Sequence, residues 1–285
     1  MADLKLRPGF ALARTPRILF CDVDRTLLTY DHVLLPEVAA AMRSLRSINL
    51  PVVLASARSP AGLDRVHAEV GAAELVCCFN GAWVGKLSSR QALKEVRLGR
   101  ELALEAMSTI HAAGGSPIWF DLGRCYVLAA DEKVARLRTD VTGDDLEMVR
   151  NVEDIPGAPL KLLATFSSDR ISEAIGSLSN VFTGRVTVTQ SGPNLVEFVD
   201  PHARKDLAAS FIAQSWNVDP NDVAAAGDSD NDIAMLSWAG LAITVANAKE
   251  HVQDLADVVA PSCDDGGLAR ALTWLVQNAP SVHAA

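Results

Sequence analysis

Long hydrophobic runs are missing from this chain. None of its apolar stretches approaches the ~20 residues that a membrane-spanning helix needs. Met1 to Phe10 carries lysine and arginine but no long apolar segment, which argues against a secretory signal. A basic surplus is missing too. With 26 Lys+Arg against 35 Asp+Glu the net charge is −9, the wrong sign for a general nucleic-acid or anionic-membrane partner. Cysteine is odd in number and without zinc-ligand spacing: Cys21, Cys77, Cys78, Cys125 and Cys263. These read as buried thiols in a reducing cytoplasm. The six histidines show no paired ligand spacing and are expected on the surface. Internal repeats, low-complexity tracts and long linkers are absent.

What is present is an ordinary globular composition, 49% hydrophobic and 21% charged. Its 285 residues are enough for one large core or a core with an inserted domain. Short apolar runs recur at 17–21, 52–55, 75–79, 223–226, 241–245 and 257–260. Helical patterns lie between several of them, at Pro36–Ile48, Ser59–Val70, Ala203–Trp216, Asn231–Trp238 and Asn247–Leu255. Strands alternating with helices predict an α/β fold, a doubly wound parallel sheet with right-handed crossovers. Between about 83 and 192 the alternation gives way to an α+β pattern. It has helices at Glu101–Ala113, Asp131–Arg138 and Ile171–Leu178, and a hairpin of Pro117–Phe120 with Tyr126–Ala129. Strands follow at Leu160–Phe166, Val186–Gln190 and Leu195–Val199. The predicted division is a core of 1–82 and 193–285 with an insert of 83–192, hinged near Gly81, Gly85 and Ser191-Gly192-Pro193. The insert holds 13 basic and 14 acidic residues, net −1. The remainder holds 13 and 21, net −8, so the acidic excess belongs to the core.

Part of that excess sits at Asp22-Val23-Asp24, directly after the apolar Ile18-Leu19-Phe20. Two ionised groups at the tip of a covered strand cost several kcal/mol unless a cation or a reaction compensates. Other polar segments also fall at predicted C-terminal strand ends, where open parallel sheets bind ligands. They are Ser56 with Arg58, Asn80-Gly81-Ala82 and Gly227-Asp228-Ser229-Asp230-Asn231-Asp232. Lys205 opens the helix after the insert. This combination suits phosphoryl transfer. Asp22 is the candidate nucleophile and Asp24 the candidate acid and base. Asp22, the Asp24 backbone carbonyl and Asp228 form a partial oxygen shell for Mg²⁺, with Asp232 a further candidate ligand. Ser56 is placed to hold phosphoryl oxygens. Lys205 supplies a compact positive charge, held by Asp228 or Asp232. Cys21 is a poor nucleophile here, because strand alternation turns it away from Asp22.

These motifs resemble the haloacid dehalogenase superfamily phosphatases of the Cof-type branch. The family pattern Asp-x-Asp-x-Thr-Leu is matched by Asp22, Asp24, Thr26 and Leu27. Its hydroxyl motif is matched by Ser56 and its asparagine motif by Asn80-Gly81-Ala82. The basic motif is matched by Lys205, the acidic motif by Gly227 to Asp232, and the Asn-Ala segment by Asn247-Ala248. The long interval between Asn80 and Lys205 resembles the class IIB arrangement, with an α/β lid inserted between the hydroxyl and lysine motifs. The resemblance implies a Mg²⁺-dependent phosphatase with a phospho-Asp22 intermediate, acting on a small phosphorylated metabolite such as a sugar phosphate or a phosphorylated cofactor. A sugar phosphomutase and a catalytically silent binding protein are the alternatives. The charge and the cysteine usage add the expectations of no nucleic-acid or membrane partner and a cytoplasmic location, and the chain is expected to be a monomer or small homo-oligomer. Three positions depart from the branch: Arg25 and Ala246 replace glycine, and Ser56-Ala57 replaces Thr-Gly.

Several residues admit two readings. Arg58 either touches phosphate or substrate, or pairs with an acidic neighbour. Asn80 is a site residue or a turn residue, Gly81 accompanies it, and Asn231 is a phosphate-side contact or a cap. Glu197 grips a substrate hydroxyl or serves as a structural acceptor. Arg124, Trp119 and Lys161 are candidate substrate contacts, against solvated or core positions. Asp228-Asp230-Asp232 mimics the start of a calcium loop. However, Ile233 and Ala239 stand where that loop needs Gly and Glu, so Asp230 reads as a helix-start cap.

Overall fold

The computed structural model describes residues 4–132, 134–136 and 143–279. Its central sheet joins β1 (Lys5–Leu6), β2 (Ile18–Cys21), β3 (Val52–Leu54), β13 (Val223–Ala226), β14 (Leu241–Val245) and β15 (Val258–Ala260). The order is β1-β15-β14-β13-β2-β3, parallel throughout except for β1. β2 and β13 are buried at every position, as continuous apolar strands covered on both faces should be. Helices Pro36–Ser44, Pro60–Val70, Lys205–Ser215, Ile233–Trp238 and Gly267–Asn278 cover them. Pro60–Val70 shows how the sequence sets such a helix. Ser59 caps it by accepting from the Gly62 amide at 3.2 Å, Pro60 occupies the first turn, and Gly71 ends it in a left-handed conformation.

Four expectations change. The run at 75–79 becomes β4 (Leu75–Cys78), tied to the central sheet by a single parallel bridge, Ala55 to Cys77. It opens a separate antiparallel sheet with β5 (Trp83–Lys86) and β6 (Gln91–Glu95). The segment 83–95 therefore stays beside β4, and Gly85 pairs inside β5 instead of serving as a hinge. The Asn247–Leu255 helix shrinks to Glu250–Gln253, and Pro36–Ile48 changes to 3₁₀ geometry after Ser44. The helix expected at Asp131–Arg138 lies partly outside the described residues.

The α+β unit has its own six-stranded sheet. Its strands are β7 (Ser116–Asp121), β8 (Arg124–Leu128), β9 (Asp145–Val149), β10 (Lys161–Thr165), β11 (Thr187–Gly192) and β12 (Leu195–Val199), ordered β11-β12-β10-β7-β8-β9. β12 pairs with both β10 and β11, so this unit runs past residue 192 to Val199. Alternation divides its two faces. Trp119, Tyr126, Leu162, Ala164, Val196 and Phe198 pack with residues of helices Arg100–Ala112 and Ile171–Val181. Ile118, Phe120, Val127, Leu163 and Val199 instead join a cluster that includes Leu19, Leu54 and Phe79. One sheet face thus belongs to the unit's own core, and the other meets the loops at the ends of the core strands, where Phe120 packs near Phe79.

Candidate active site

Asp22 leaves β2 with its amide donating to the Ala226 carbonyl at 2.9 Å, which sets it beside the end of β13. The chain then turns sharply: the Leu27 and Leu28 amides both reach the Val23 carbonyl. Arg25 sits in this turn with φ +65°, a left-handed conformation that costs a side-chain-bearing residue about 1–2 kcal/mol and glycine almost nothing. Asn247 holds the strained turn by donating from Nδ2 to the Arg25 carbonyl at 2.9 Å. The Arg25 guanidinium lies 5.2 Å from the centre of the Tyr30 ring.

Asp22, Asp228 and Asp232 are all buried, and each offers an oxygen within 4.8 Å of the others. Lys205 donates from Nζ to Asp22 Oδ1 at 2.6 Å and to Asp232 Oδ1 at 2.7 Å. Its anchors are therefore Asp22 and Asp232. Asp232 Oδ2 accepts the Asp228 and Ser229 amides, so both Asp232 oxygens are engaged within the protein. Thr26 Oγ1 donates to Asp228 Oδ1 at 3.2 Å.

Burial pushes the Asp228 carboxyl up to about 6, helped by the Asp232 charge and opposed by Lys205. Burial likewise raises Asp22, with Lys205 opposing and Asp232 and Asp228 reinforcing. Lys205 moves the other way. Burial would lower it, but the Asp22 and Asp232 carboxylates hold it well above the ordinary lysine range. Three carboxylates against one ammonium leave negative charge in a buried pocket. Such an all-oxygen donor set fits a hard divalent cation.

Asp24 faces elsewhere. Arg58 grips both its oxygens, Nε to Oδ2 at 2.9 Å and Nη2 to Oδ1 at 2.6 Å, and His32 Nδ1 lies 2.8 Å from Oδ1. Burial alone would raise the Asp24 carboxyl, but the Arg58 and His32 contacts outweigh it and hold it well below the usual range. The Asp24 carboxylate is thus engaged apart from the Asp22, Asp228 and Asp232 cluster. The acidic-neighbour reading of Arg58 matches this arrangement.

Ser56 is fully buried, and its Oγ accepts the Arg58 amide at 3.1 Å. The next loop is pinned to it by two bonds, Asn80 amide to Ser56 carbonyl and Phe79 amide to Arg58 carbonyl, each 2.9 Å. Asn80 adopts φ +58°. Its Nδ2 donates to Glu197 Oε2 at 2.7 Å, and its Oδ1 accepts from Asn231 Nδ2 at 3.0 Å. At Gly81, φ is +97° and a Cβ would lie 2.4 Å from the Arg204 carbonyl, so only glycine lets this loop touch the start of the Lys205 helix.

The other candidates separate. Trp119 lies inside the α+β unit's own core, and Arg124 makes an exposed pair with Glu147. Asp230 pairs with Lys249 and His251 at the surface. The five cysteines are buried and unpaired, and burial raises the Cys21 thiol well above its ordinary value. His32 went unnoticed in the sequence. Its contact with Asp24 depends on the turn in which the His32 amide returns to the Thr29 carbonyl.

A profile of the haloacid dehalogenase-like hydrolases matches residues 19–272. The chain belongs to this family. A Bacillus subtilis protein named "Putative phosphatase YxeH" is 26% identical, covering 91% of this chain and 98% of its own. A phosphoglycolate phosphatase of Archaeoglobus fulgidus is also 26% identical, over 91% and 97%. Among solved structures, a haloacid dehalogenase-like hydrolase from Bacteroides thetaiotaomicron superposes with a TM-score of 0.80 at 20% identity, covering 92% of this chain and all of that one. A subclass IIB sugar phosphatase superposes at 0.76 with 18% identity, over 91% and 99%. Both solved structures thus share the fold described above over nearly all of this chain.

Proposed function

We propose that this hydrolase cleaves a small phosphomonoester, with Mg²⁺ as its cofactor and phospho-Asp22 as its intermediate. The observation that carries the reading is the Lys205 bridge between Asp22 and Asp232 inside the buried carboxylate cluster. Asp22, Asp228 and the Asp24 carbonyl would hold Mg²⁺, with Asp232 orienting Lys205 and the Asp228 loop. When bound, the ion offsets the charge of the carboxylates and of the phosphoryl group. Lys205 steadies Asp22 and neutralises part of the incoming phosphate charge, while Ser56 and Asn231 face its oxygens.

In the first step an Asp22 oxygen bonds to phosphorus and the phosphorus–leaving-oxygen bond breaks. Asp24 supplies the proton that the departing oxygen takes. In the second, water attacks phosphorus, the Asp22–phosphorus bond breaks, and Asp24 takes the water's proton. The Arg58 clasp favours ionised Asp24 and so suits the second step. The first requires Arg58 to turn from Asp24 toward the arriving phosphate.

The α+β unit acts as a lid that excludes bulk water and selects the leaving group. Its likeness in fold to a sugar phosphatase favours a sugar phosphate. The unpaired cysteines support a reducing cytoplasm as the working compartment. A panel of phosphorylated metabolites assayed with Mg²⁺, using Asp22→Asn as the blank, tests the reading. It requires free phosphate by ³¹P NMR from the wild type only. Equal background rates refute it, and isomerised ester without free phosphate points to a mutase.

A further inference from the structure

Two buried charges lie outside the chemistry above. Lys161 on β10 and Glu197 on β12 are 6% and 4% exposed, on the sheet face that packs against the parallel core. Lys161 stands opposite Phe120, and Glu197 opposite Leu163. The two are diagonal neighbours on a face shared with Ile118, Phe120, Leu163 and Val199. Lys161 Nζ donates to Glu197 Oε1 at 2.9 Å and lies 5.7 and 5.5 Å from the ring centres of Phe79 and Phe120. Desolvating such a pair costs several kcal/mol, and an apolar pair of similar volume commonly serves stability as well or better. Stability alone is therefore a poor reason for these charges.

Their remaining bonds supply a better one. Lys161 Nζ also donates to the Ala57 carbonyl at 2.8 Å, between Ser56 and Arg58. Glu197 Oε2 accepts from Asn80, whose Oδ1 accepts from Asn231. A single polar chain thus runs from the carbonyl behind Ser56, through both lid residues, to the loop beside the carboxylate cluster. No apolar replacement can make either end contact. We infer that Lys161 and Glu197 are positioning residues that fix the Ser56–Arg58 and Asn80 loops in register when the lid is seated. The inference rests on the phosphatase reading and adds lid-borne control of the phosphate-binding loops to it.

The test uses Lys161→Met, Glu197→Gln and the double variant. Kinetics are measured with Mg²⁺ on phenyl phosphate, p-nitrophenyl phosphate and a hexose 6-phosphate. In Lys161→Met, kcat falls by about ten-fold or more, by a common factor on every ester turned over, while KM stays within about three-fold. Amide exchange at Phe79 and Asn80 quickens. Adding Glu197→Gln removes the orphaned carboxylate and restores the melting temperature, yet leaves kcat low because the Ala57 contact is still missing. If kcat recovers with stability, the pair is merely structural and the inference fails. Loss that differs strongly between esters also overturns it, because the pair then touches the leaving group. If the wild type turns over no ester, the phosphatase reading fails by itself. The exchange measurement then decides: faster exchange in the double variant, melting as the wild type does, supports positioning, and unchanged exchange refutes it.

Discussion

Arg58 holds both oxygens of Asp24 in a two-pronged grip, at 2.9 and 2.6 Å, with the two side chains 16% and 32% exposed. The geometry is the strong form of an ion pair, planar fork to carboxylate, in partial shelter from water. It joins the Asp22–Thr26 loop to the loop after β3, two segments 34 residues apart in sequence.

Arg58→Gln is expected to destabilise the protein by about 1–2 kcal/mol near neutral pH, a figure reduced for solvent screening. The pH dependence has a definite sign. Asp24 titrates lower folded than unfolded, so its stabilisation is present above the unfolded carboxyl value of about 4 and is lost as pH falls below it. The gap between wild type and variant should therefore begin to narrow below about pH 5 and go on narrowing as pH falls toward the depressed folded value, in urea titrations without Mg²⁺. A gap unchanged across that range would mean that Arg58 stabilises by packing alone.

Lys205 and Asp22 should separate chemistry from stability. Both variants, Lys205→Met and Asp22→Asn, are expected to lose turnover by at least about a thousand-fold. Their stabilities should differ. Removing Lys205 leaves Asp22, Asp228 and Asp232 buried without their ammonium, at a cost of about 3–5 kcal/mol. Asp22→Asn removes one of three crowded carboxylates while Lys205 keeps Asp232. Its effect should lie within about 1 kcal/mol of zero, or be stabilising. Chemical denaturation of the metal-free proteins makes the comparison, and equal losses would contradict this view of the cluster.

The legible part of the molecule was local. Asp22, Ser56, Asn80, Lys205 and Asp228 each follow a short apolar run or begin a helix, and strand ends of a parallel sheet converge by topology. What escaped was pairing across distance. Nothing near Arg58 says that its partner is Asp24 and not a phosphate, because a guanidinium suits both. In the sequence, Lys161 reads as a candidate substrate contact and Glu197 as a substrate grip or a structural acceptor. Their meaning depends on β10 and β12 being neighbours and on which face meets the core. The boundary drawn at residue 192, on the Ser191-Gly192-Pro193 turn, cuts β12 from the α+β pattern to which its strand belongs. Its ladders to β10 and β11 make Ser191-Gly192-Pro193 part of an internal hairpin of the α+β unit.

Mg²⁺ should stabilise the protein in a pH-dependent manner, with the sign set by Asp228. Its carboxyl is raised to about 6, so its protonated form is favoured in the fold. Such a group contributes stability below the unfolded value of about 4 and loses it as pH rises through the folded value. Asp22 shifts in the same direction. Asp24, shifted the opposite way, is ionised in both states above about pH 5 and so adds a constant there. The metal-free protein is thus expected to weaken between about pH 4 and 7 on account of this cluster. Mg²⁺ binds the ionised carboxylates, so its benefit grows over the same interval. With about 5 mM MgCl₂ the gain should reach about 2 kcal/mol at pH 7.5, a rise of several degrees in Tm, and nearly vanish at pH 5. Asp228→Asn should abolish the gain at both values, whereas Arg58→Gln should preserve it. Thermal melts at the two pH values, with and without the ion, decide the matter. A gain independent of pH would place the ion away from Asp22 and Asp228.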